Sequence, residues 1–334
     1  MADKVTIAVD AVGGDAGPEV VLAGAARALA DDPDLTLVLC GPADVVEPFA
    51  ASHERAVAQP CTEVIAMGEH PANAVRRKKD SSIVVGCRLV RDGAAQGFFS
   101  AGSTGACLAA GTLVMGRVRG VKRPALAQVL PAYAKPTLLL DVGANADCKP
   151  EYLLQFAQMG AAYMRELMVV AEPRVGLLNI GEEDEKGSEA AQAANALLRE
   201  GLPGFAGNAE GRDLLSGEFD VIVTDGFTGN VALKTIEGTS KVLFSYVKDA
   251  LMGSLSGKLG ALLVKGDLAA LKAKVSPDTY GGSPLLGVKG ACVVGHGSSN
   301  ELAVRNGIAV AATTVRSHVA DVIAATVAQG GERA

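Results

Sequence analysis

Short aliphatic runs recur along the 334-residue chain, each closed by a glycine-rich turn and followed by apolar positions at helical spacing. Thr6–Val9 leads into Asp10-Ala-Val-Gly-Gly-Asp15, then a helix from about Pro18, where a proline loses no helical hydrogen bond. Leu35–Cys40 leads into Gly41-Pro42, and Phe98–Ser100 into Ala101-Gly-Ser-Thr-Gly105. Thr137–Leu140 leads into Asp141-Val-Gly-Ala-Asn-Ala-Asp147, with Pro150 opening the next helix. Val175–Ile180, Val221–Thr224 and Ala291–Val294 end in Gly181-Glu-Glu-Asp184, Asp225-Gly-Phe-Thr-Gly-Asn230 and Gly295-His-Gly-Ser-Ser-Asn300. Strands alternating with helices imply an α/β fold with a mostly parallel sheet covered on both faces. In such a sheet the strand-to-helix turns project from one edge, so these loops are expected to converge there.

The stretch from about residue 244 to 274 departs from this unit. Leu255, Leu259, Leu262 and Leu263 fall at i, i+4, i+7 and i+8, an apolar helical stripe. Gly266-Asp267 reads as a break and Leu268–Lys274 as a second short helix, a helical hairpin on one α/β domain spanning 1–334.

Composition narrows the classes. Hydrophobic residues make up 49%, enough for a large core. Net charge is -6 and Trp is absent, which argues against nucleic-acid binding. Cys40, Cys61, Cys87, Cys107, Cys148 and Cys292 form no CxxC pair and no metal spacing with a His, so neither a metal nor a disulfide framework is expected. Scattered thiols fit a cytoplasmic setting, and the N-terminus runs straight into a strand without a signal or spanning segment.

The loops together resemble the bacterial phosphate acyltransferase family, the acyl-carrier-protein:phosphate acyltransferases of phospholipid synthesis. Besides the turns after residues 9, 100 and 140, the resemblance rests on Arg76-Arg-Lys-Lys-Asp-Ser-Ser82, Leu178-Asn-Ile-Gly-Glu-Glu183, Gly207-Asn-Ala-Glu-Gly-Arg212, Thr224-Asp-Gly-Phe-Thr-Gly-Asn230 and His296-Gly-Ser298, in family order. Val12 and Ser103 depart from the usual Met and Asn. The resemblance implies an αβα sandwich related to isopropylmalate dehydrogenases and phosphotransacetylases, and a homodimer attached peripherally to the membrane. It also implies transfer of a fatty-acyl group from acyl carrier protein to inorganic phosphate. A membrane acyl-phosphate:glycerol-3-phosphate acyltransferase would receive the product, and no cofactor is needed.

Phosphate is already an anionic nucleophile, so such chemistry needs an anion cradle, oxyanion donors and a dry pocket rather than a catalytic triad. Gly102-Ser103-Thr104-Gly105 offers backbone N–H groups and hydroxyls at a helix start, or is simply a capped tight turn. Gly13-Gly14-Asp15 allows close backbone approach to a ligand or a sharp turn, and is no GxGxxG nicotinamide fingerprint. In Asp225-Gly-Phe-Thr228-Gly229-Asn230, a helix starting near Gly229 stacks Asn230 under Lys234. Lys234 would neutralise phosphate and Asn230 donate to an oxyanion; the other reading is an Asp-Gly turn with a surface lysine. Asn145 and Asp147 would orient substrate or Lys149, or form an Asx turn before Pro150. His296, near Ser298, is a candidate proton donor to the leaving thiolate or a phosphate ligand, or else a structural histidine. Cys148 as an acyl nucleophile is the covalent rival, and Glu182, Glu183 and Asp184 are either metal ligands or a solvated acidic loop.

Arg76, Arg77, Lys78 and Lys79 precede the helix start at Asp80-Ser-Ser82, where cations oppose the helix dipole. They are therefore expected to dock the acidic carrier protein, the other reading being a solvated charge run, and Leu255, Leu259, Leu262 and Leu263 to touch the membrane surface, the other reading being a stripe packed in the dimer interface or core. The rivals are a short-chain phosphotransacetylase using acyl-CoA, a metal- and nicotinamide-dependent dehydrogenase, and a noncatalytic lipid-binding scaffold.

Overall fold

The computed structural model describes residues 3–331. Among the described residues eleven strands form one sheet: β1 Val5–Asp10, β2 Leu35–Gly41, β3 Ala56–Pro60, β4 Gly97–Ser100, β5 Ala125–Leu130, β6 Thr137–Leu140, β7 Val175–Leu178, β8 Phe205–Ala209, β9 Val221–Val223, β10 Ser283–Leu286 and β11 Ala291–Val294. Their order is β3-β2-β1-β4-β11-β10-β5-β6-β9-β7-β8. All seven anticipated strands are present. The additional four are the two edges, β3 and β8, and the central pair β5 and β10.

The central pair corrects the expectation that all turns leave one edge. The block β3-β2-β1-β4-β11 is parallel throughout, as is the block β6-β9-β7-β8. Between them β11–β10, β10–β5 and β5–β6 are each antiparallel. Three reversals leave the two blocks running in opposite directions, so their carboxyl ends lie at opposite edges.

Side-chain alternation builds three layers from this sheet. Phe98, Leu139, Ile222, Leu285 and Cys292 enter a core that runs across one face of both blocks. Their neighbours enter two separate cores on the other face, with Phe99 and Val293 under the first block and Leu138, Leu140, Val221 and Leu286 under the second. The first of these is closed by helices Pro18–Asp31 and Glu301–Arg316, the second by Pro150–Met168, Glu189–Gly201 and Val319–Gly331. The αβα sandwich follows.

Helix Gly226–Met252, 27 residues and about 40 Å long, runs back from the end of β9. It packs Ala232, Leu233 and Ile236 on the continuous face. Because β9 is antiparallel to the first block, this helix travels toward that block's carboxyl edge. Phe244 lies within it, and the breaks fall at Gly253-Ser254 and Val264 rather than at Gly266-Asp267. Ser254 accepts from the Gly257 N–H at 2.9 Å and caps helix Leu255–Leu263. Asp267 sits in the first turn of helix Lys265–Val275, where an acid favours continuation. Neither short helix buries a residue.

Helices Pro18–Asp31 and Glu301–Arg316 meet at Gly24, where an added Cβ would lie 2.5 Å from the Val304 Cβ. Gly24→Leu should therefore lower unfolding free energy by about 1–3 kcal/mol through overpacking. Urea unfolding measures this.

Candidate active site

Each block organises its edge around one buried carboxylate. In the first block, Asp10 Oδ2 accepts from Ser100 Oγ at 2.6 Å, and Ser100 Oγ accepts from the Gly102 N–H at 2.9 Å. Burial pushes the Asp10 carboxyl up, opposed by the Ser100 and Ser82 hydroxyls. Gly13 lies over this pair: an added Cβ would meet the Gly102 nitrogen and Asp10 Oδ2, each at 2.7 Å. Gly14 has φ 101° and the Asp15 N–H donates to the Gly297 carbonyl at 2.7 Å. Residues 10–15, 100–105 and 295–298 are thus one cluster. Ser103 caps helix Thr104–Ala110, accepting weakly from the Ala106 N–H at 3.4 Å.

In the second block Asp141 is fully buried. Its Oδ1 accepts from the N–H groups of Leu126, Gly143 and Ala144 at 3.0, 3.1 and 2.9 Å. Its Oδ2 accepts from the Asn145 N–H and Nδ2 at 2.7 and 2.8 Å. Burial raises the Asp141 carboxyl, and the Ala144 and Asn145 donors pull it back. Asn145 Nδ2 also donates to the Pro124 carbonyl at 2.8 Å, so this candidate is occupied in holding the loop. The helix after β9 starts against this loop. The Gly226 N–H donates to the Asn145 carbonyl at 2.7 Å, and a Cβ on Gly229 would lie 1.9 Å from the Asp141 carbonyl oxygen. Asp225 caps that helix: Oδ1 accepts from the Thr228 N–H and Oδ2 from the Thr228 hydroxyl, both at 2.8 Å.

The helix then carries Asn230, Lys234 and Glu237 along one face into a cleft of about 140 Å³. Thr104 and His296 enter the same cleft from the first block; Leu126 and Gln128 line it from the central sheet and Val142 from the loop after β6. Asn230 lies beside the Asp141 loop, since a Cβ on Gly143 would meet its Nδ2 at 2.9 Å. Lys234 Nζ lies 2.9 Å from Glu237 Oε2. The Ser298 N–H donates to His296 Nδ1 at 3.3 Å, and the Ser298 hydroxyl lies 2.8 Å from the same nitrogen. With Nδ1 accepting, the neutral ring carries its proton on Nε2.

Not all the anticipated residues meet here. Asp147, Asp225 and Thr228 line a separate cavity of about 410 Å³ with Cys148, Leu153, Leu177, Ser188 and Phe227. Cys148 is half-buried, and burial, with the Asp141 charge, pushes its thiol up to about 12. That disfavours the thiolate an acyl-enzyme route requires. Glu182 pairs with Arg212 and Asp184 with Arg199, and no group of three metal-ligating side chains occurs among the described residues.

The basic run also differs from expectation. Arg76 and Arg77 form the last turn of helix Pro71–Arg77, where the dipole favours cations, and Lys78 pairs with Glu69 at 2.6 Å. Local structure therefore explains three of these four cations. Glu237 and Asp278 were missed as cleft residues. Glu237 was readable as the helical i+3 neighbour of Lys234, whereas Asp278 carries no local signal.

A phosphotransacetylase-like sandwich, with a polar cleft between two oppositely directed blocks, defines the class. A phosphotransacetylase from Streptococcus pyogenes has TM-score 0.61 at 14% identity, covering 93% of this chain and 94% of its own. A branched-chain phosphotransacylase from Enterococcus faecalis has TM-score 0.58 at 14% identity, covering 94% and 99%. The family described as Fatty acid synthesis protein matches residues 5–322. A phosphate acyltransferase of Anaeromyxobacter sp. is 49% identical, covering 96% of this chain and 90% of its own. Another from Lysinibacillus sphaericus is 46% identical over 96% and 98%. The chain belongs to the phosphate acyltransferase family and is an acyltransferase.

Removing the Asp141 carboxylate strands buried donors, each costing about 1–3 kcal/mol when unpaired. Asp141→Ala should lower unfolding free energy by more than about 3 kcal/mol, and Asp141→Asn by less. Denaturant midpoints of the two variants against the parent check this ordering.

Proposed function

We propose that the cleft between the two blocks binds inorganic phosphate and a fatty-acyl thioester, and transfers the acyl group to phosphate. The supporting observation is the meeting of Thr104, Asn230, Lys234 and His296, from three distant segments, in one cleft. A phosphate oxygen attacks the thioester carbonyl; the new C–O bond forms and the C–S bond breaks. Lys234 holds the phosphate, with Gly13, Gly14, Gly102 and Thr104 supplying the neighbouring surface. Asn230 Nδ2 donates to the tetrahedral oxyanion, and the His296 Nε2–H donates a hydrogen bond to the leaving sulfur, which takes up the proton that the attacking hydrogen phosphate releases. The acyl donor is an acyl carrier protein thioester, and the acyl phosphate enters phospholipid synthesis. The enzyme works as a cytoplasmic homodimer on the membrane surface, delivering its product to a membrane acyl-phosphate:glycerol-3-phosphate acyltransferase.

The exposed hairpin supports the membrane part of this reading. Leu255, Leu259, Leu262 and Leu263 are 86%, 61%, 67% and 78% exposed, on a helix with no buried residue. No single helix among the described residues is long and apolar enough to span a membrane. Burying one leucine contributes about 1.5–3 kcal/mol, so a few partly inserted side chains give reversible attachment.

Lys234→Ala, Asn230→Ala and His296→Ala should each reduce kcat by about 10²–10³ while melting near the parent temperature. Parental turnover in all three would defeat the assignment of the cleft. Leu259→Glu with Leu262→Glu should abolish sedimentation with liposomes and leave turnover of a soluble donor largely intact. A monomeric or unfolded double variant would instead place the stripe in an interface or core.

A further inference from the structure

No acid occurs between Asp92 and Asp141, yet that stretch holds Arg117, Arg119, Lys122, Arg123 and Lys135 in a chain of net charge -6. Lys135 pairs with the buried Asp220. The other four are exposed on the turn between Met115 and β5, and none of them makes an ion pair among the described residues. Exposed Lys289 joins them, because its N–H donates to the Gly116 carbonyl at 2.8 Å and Arg117 bridges to Val288.

The turn is held rigidly. Arg117 folds back onto the Lys122 carbonyl and, at 3.5 Å, the Val121 carbonyl. The Lys122 N–H donates to Gln155 Oε1 at 2.8 Å, and Gln155 Nε2 donates to the Gly120 carbonyl at 3.0 Å. Val118 and Val121 are buried beneath it. Arg117 is thereby committed to the turn, leaving Arg119, Lys122, Arg123 and Lys289 as a fixed patch of unpaired cations. Uncompensated like charges in a rigid turn repel one another, so fold stability does not account for them. A complementary anionic partner does.

The patch adjoins the cleft. Pro124, next to Arg123, accepts from Asn145, and Leu126 both donates to Asp141 and lines the cleft. Arg123 is three residues from Leu126, about 10 Å along an extended chain. With its valines buried, the turn offers no apolar side chain for insertion into lipid, and it has no aromatic for stacking on bases. An acidic protein surface is the occupant that fits.

We propose that Arg119, Lys122, Arg123 and Lys289 form the docking surface for the acidic protein that carries the acyl thioester, rather than the run Arg76–Lys79. This rests on the carrier-bound donor in the proposed function. The carrier seats on the patch and extends its thioester arm past Pro124 into the cleft. Patch cations set capture of the carrier and leave the chemistry of a small donor untouched.

The test measures initial rates with an acyl-carrier-protein thioester and with an acyl-CoA across a salt series. It compares the parent, Arg119→Glu with Arg123→Glu, and Arg76→Glu with Arg77→Glu. The patch variant should raise KM for the carrier donor about tenfold and flatten its salt dependence, with acyl-CoA kinetics unchanged. Arg119→Gln with Arg123→Gln, which adds no repulsion, should show a smaller rise in the same direction. No change, equal losses with both donors, or a loss confined to the Arg76 and Arg77 variant overturns the assignment. So does a patch variant that loses binding to anionic vesicles while retaining the parental carrier KM. A parent enzyme with no preference for the carrier donor at any salt defeats the carrier-bound reading itself, and the docking surface with it.

Discussion

Five N–H groups converging on the Asp141 carboxylate fix the part of the molecule on which the cleft depends. A buried carboxylate is costly unless its lone pairs are satisfied, and satisfied donors in turn cannot leave it without penalty. The exchange locks the 141–145 loop to the start of β5. It also sets the height at which the helix after β9 begins, since Gly226 and Gly229 leave no room above the loop for a side chain. Asn230 and Lys234 inherit their positions from that contact. Asp10 has the parallel task across the sheet, holding Ser100 and hence Gly102 beneath Gly13. Neither carboxylate lines the cleft; both shape the loops around it.

Opposed strand directions would ordinarily separate the two loop sets. A helix that follows a strand runs back antiparallel to it, so the one leaving β9 points toward the other block's carboxyl edge. Its first turns present Asn230, Lys234 and Glu237 in succession, while Thr104 and His296 arrive from the opposite side. Antiparallel β5 and β10 supply the floor, with Ser283 Oγ donating to Gln128 Oε1 at 2.6 Å across them. The reversal in the middle of the sheet is thus what lets one helix close the site from above.

Much of this was legible because local chemistry and fold agree. Aliphatic runs followed by glycine turns marked every strand buried in a parallel block, and Asn230 with Lys234 followed from helical spacing. The unread strands have physical reasons. β3 ends in Gln59-Pro60 and β8 contains Gly207 and Asn208, compositions tolerated at edges. β10 is four residues with Pro284 inside, and β5 ends against Pro131 without a glycine turn. Missing that pair meant missing the change of direction, and so the separation of Asp147, Asp225 and Thr228 from the cleft. The helix context of the cation run at Arg76 went unread because helix Pro71–Arg77 is too short to register as periodicity. Its arginines sit at one helix's end and before another's start.

Charge shows how little a total reveals about a site. The cleft's lysine is already neighboured by Glu237, and Asp278 lines the same space. An anion entering must therefore draw on backbone and side-chain dipoles as well as on net positive charge. Such dipoles are fixed by the loops before the ligand arrives, which is the condition under which they stabilise developing charge with little reorganisation. The glycine clusters at residues 13–14 and 102–105 adjoin the cleft through Thr104 and His296. Without side chains, their backbones approach to within contact of each other. On the proposed reading, phosphate would meet the held ammonium of Lys234 and oriented dipoles, set against the two acids of the cleft, Glu237 and Asp278.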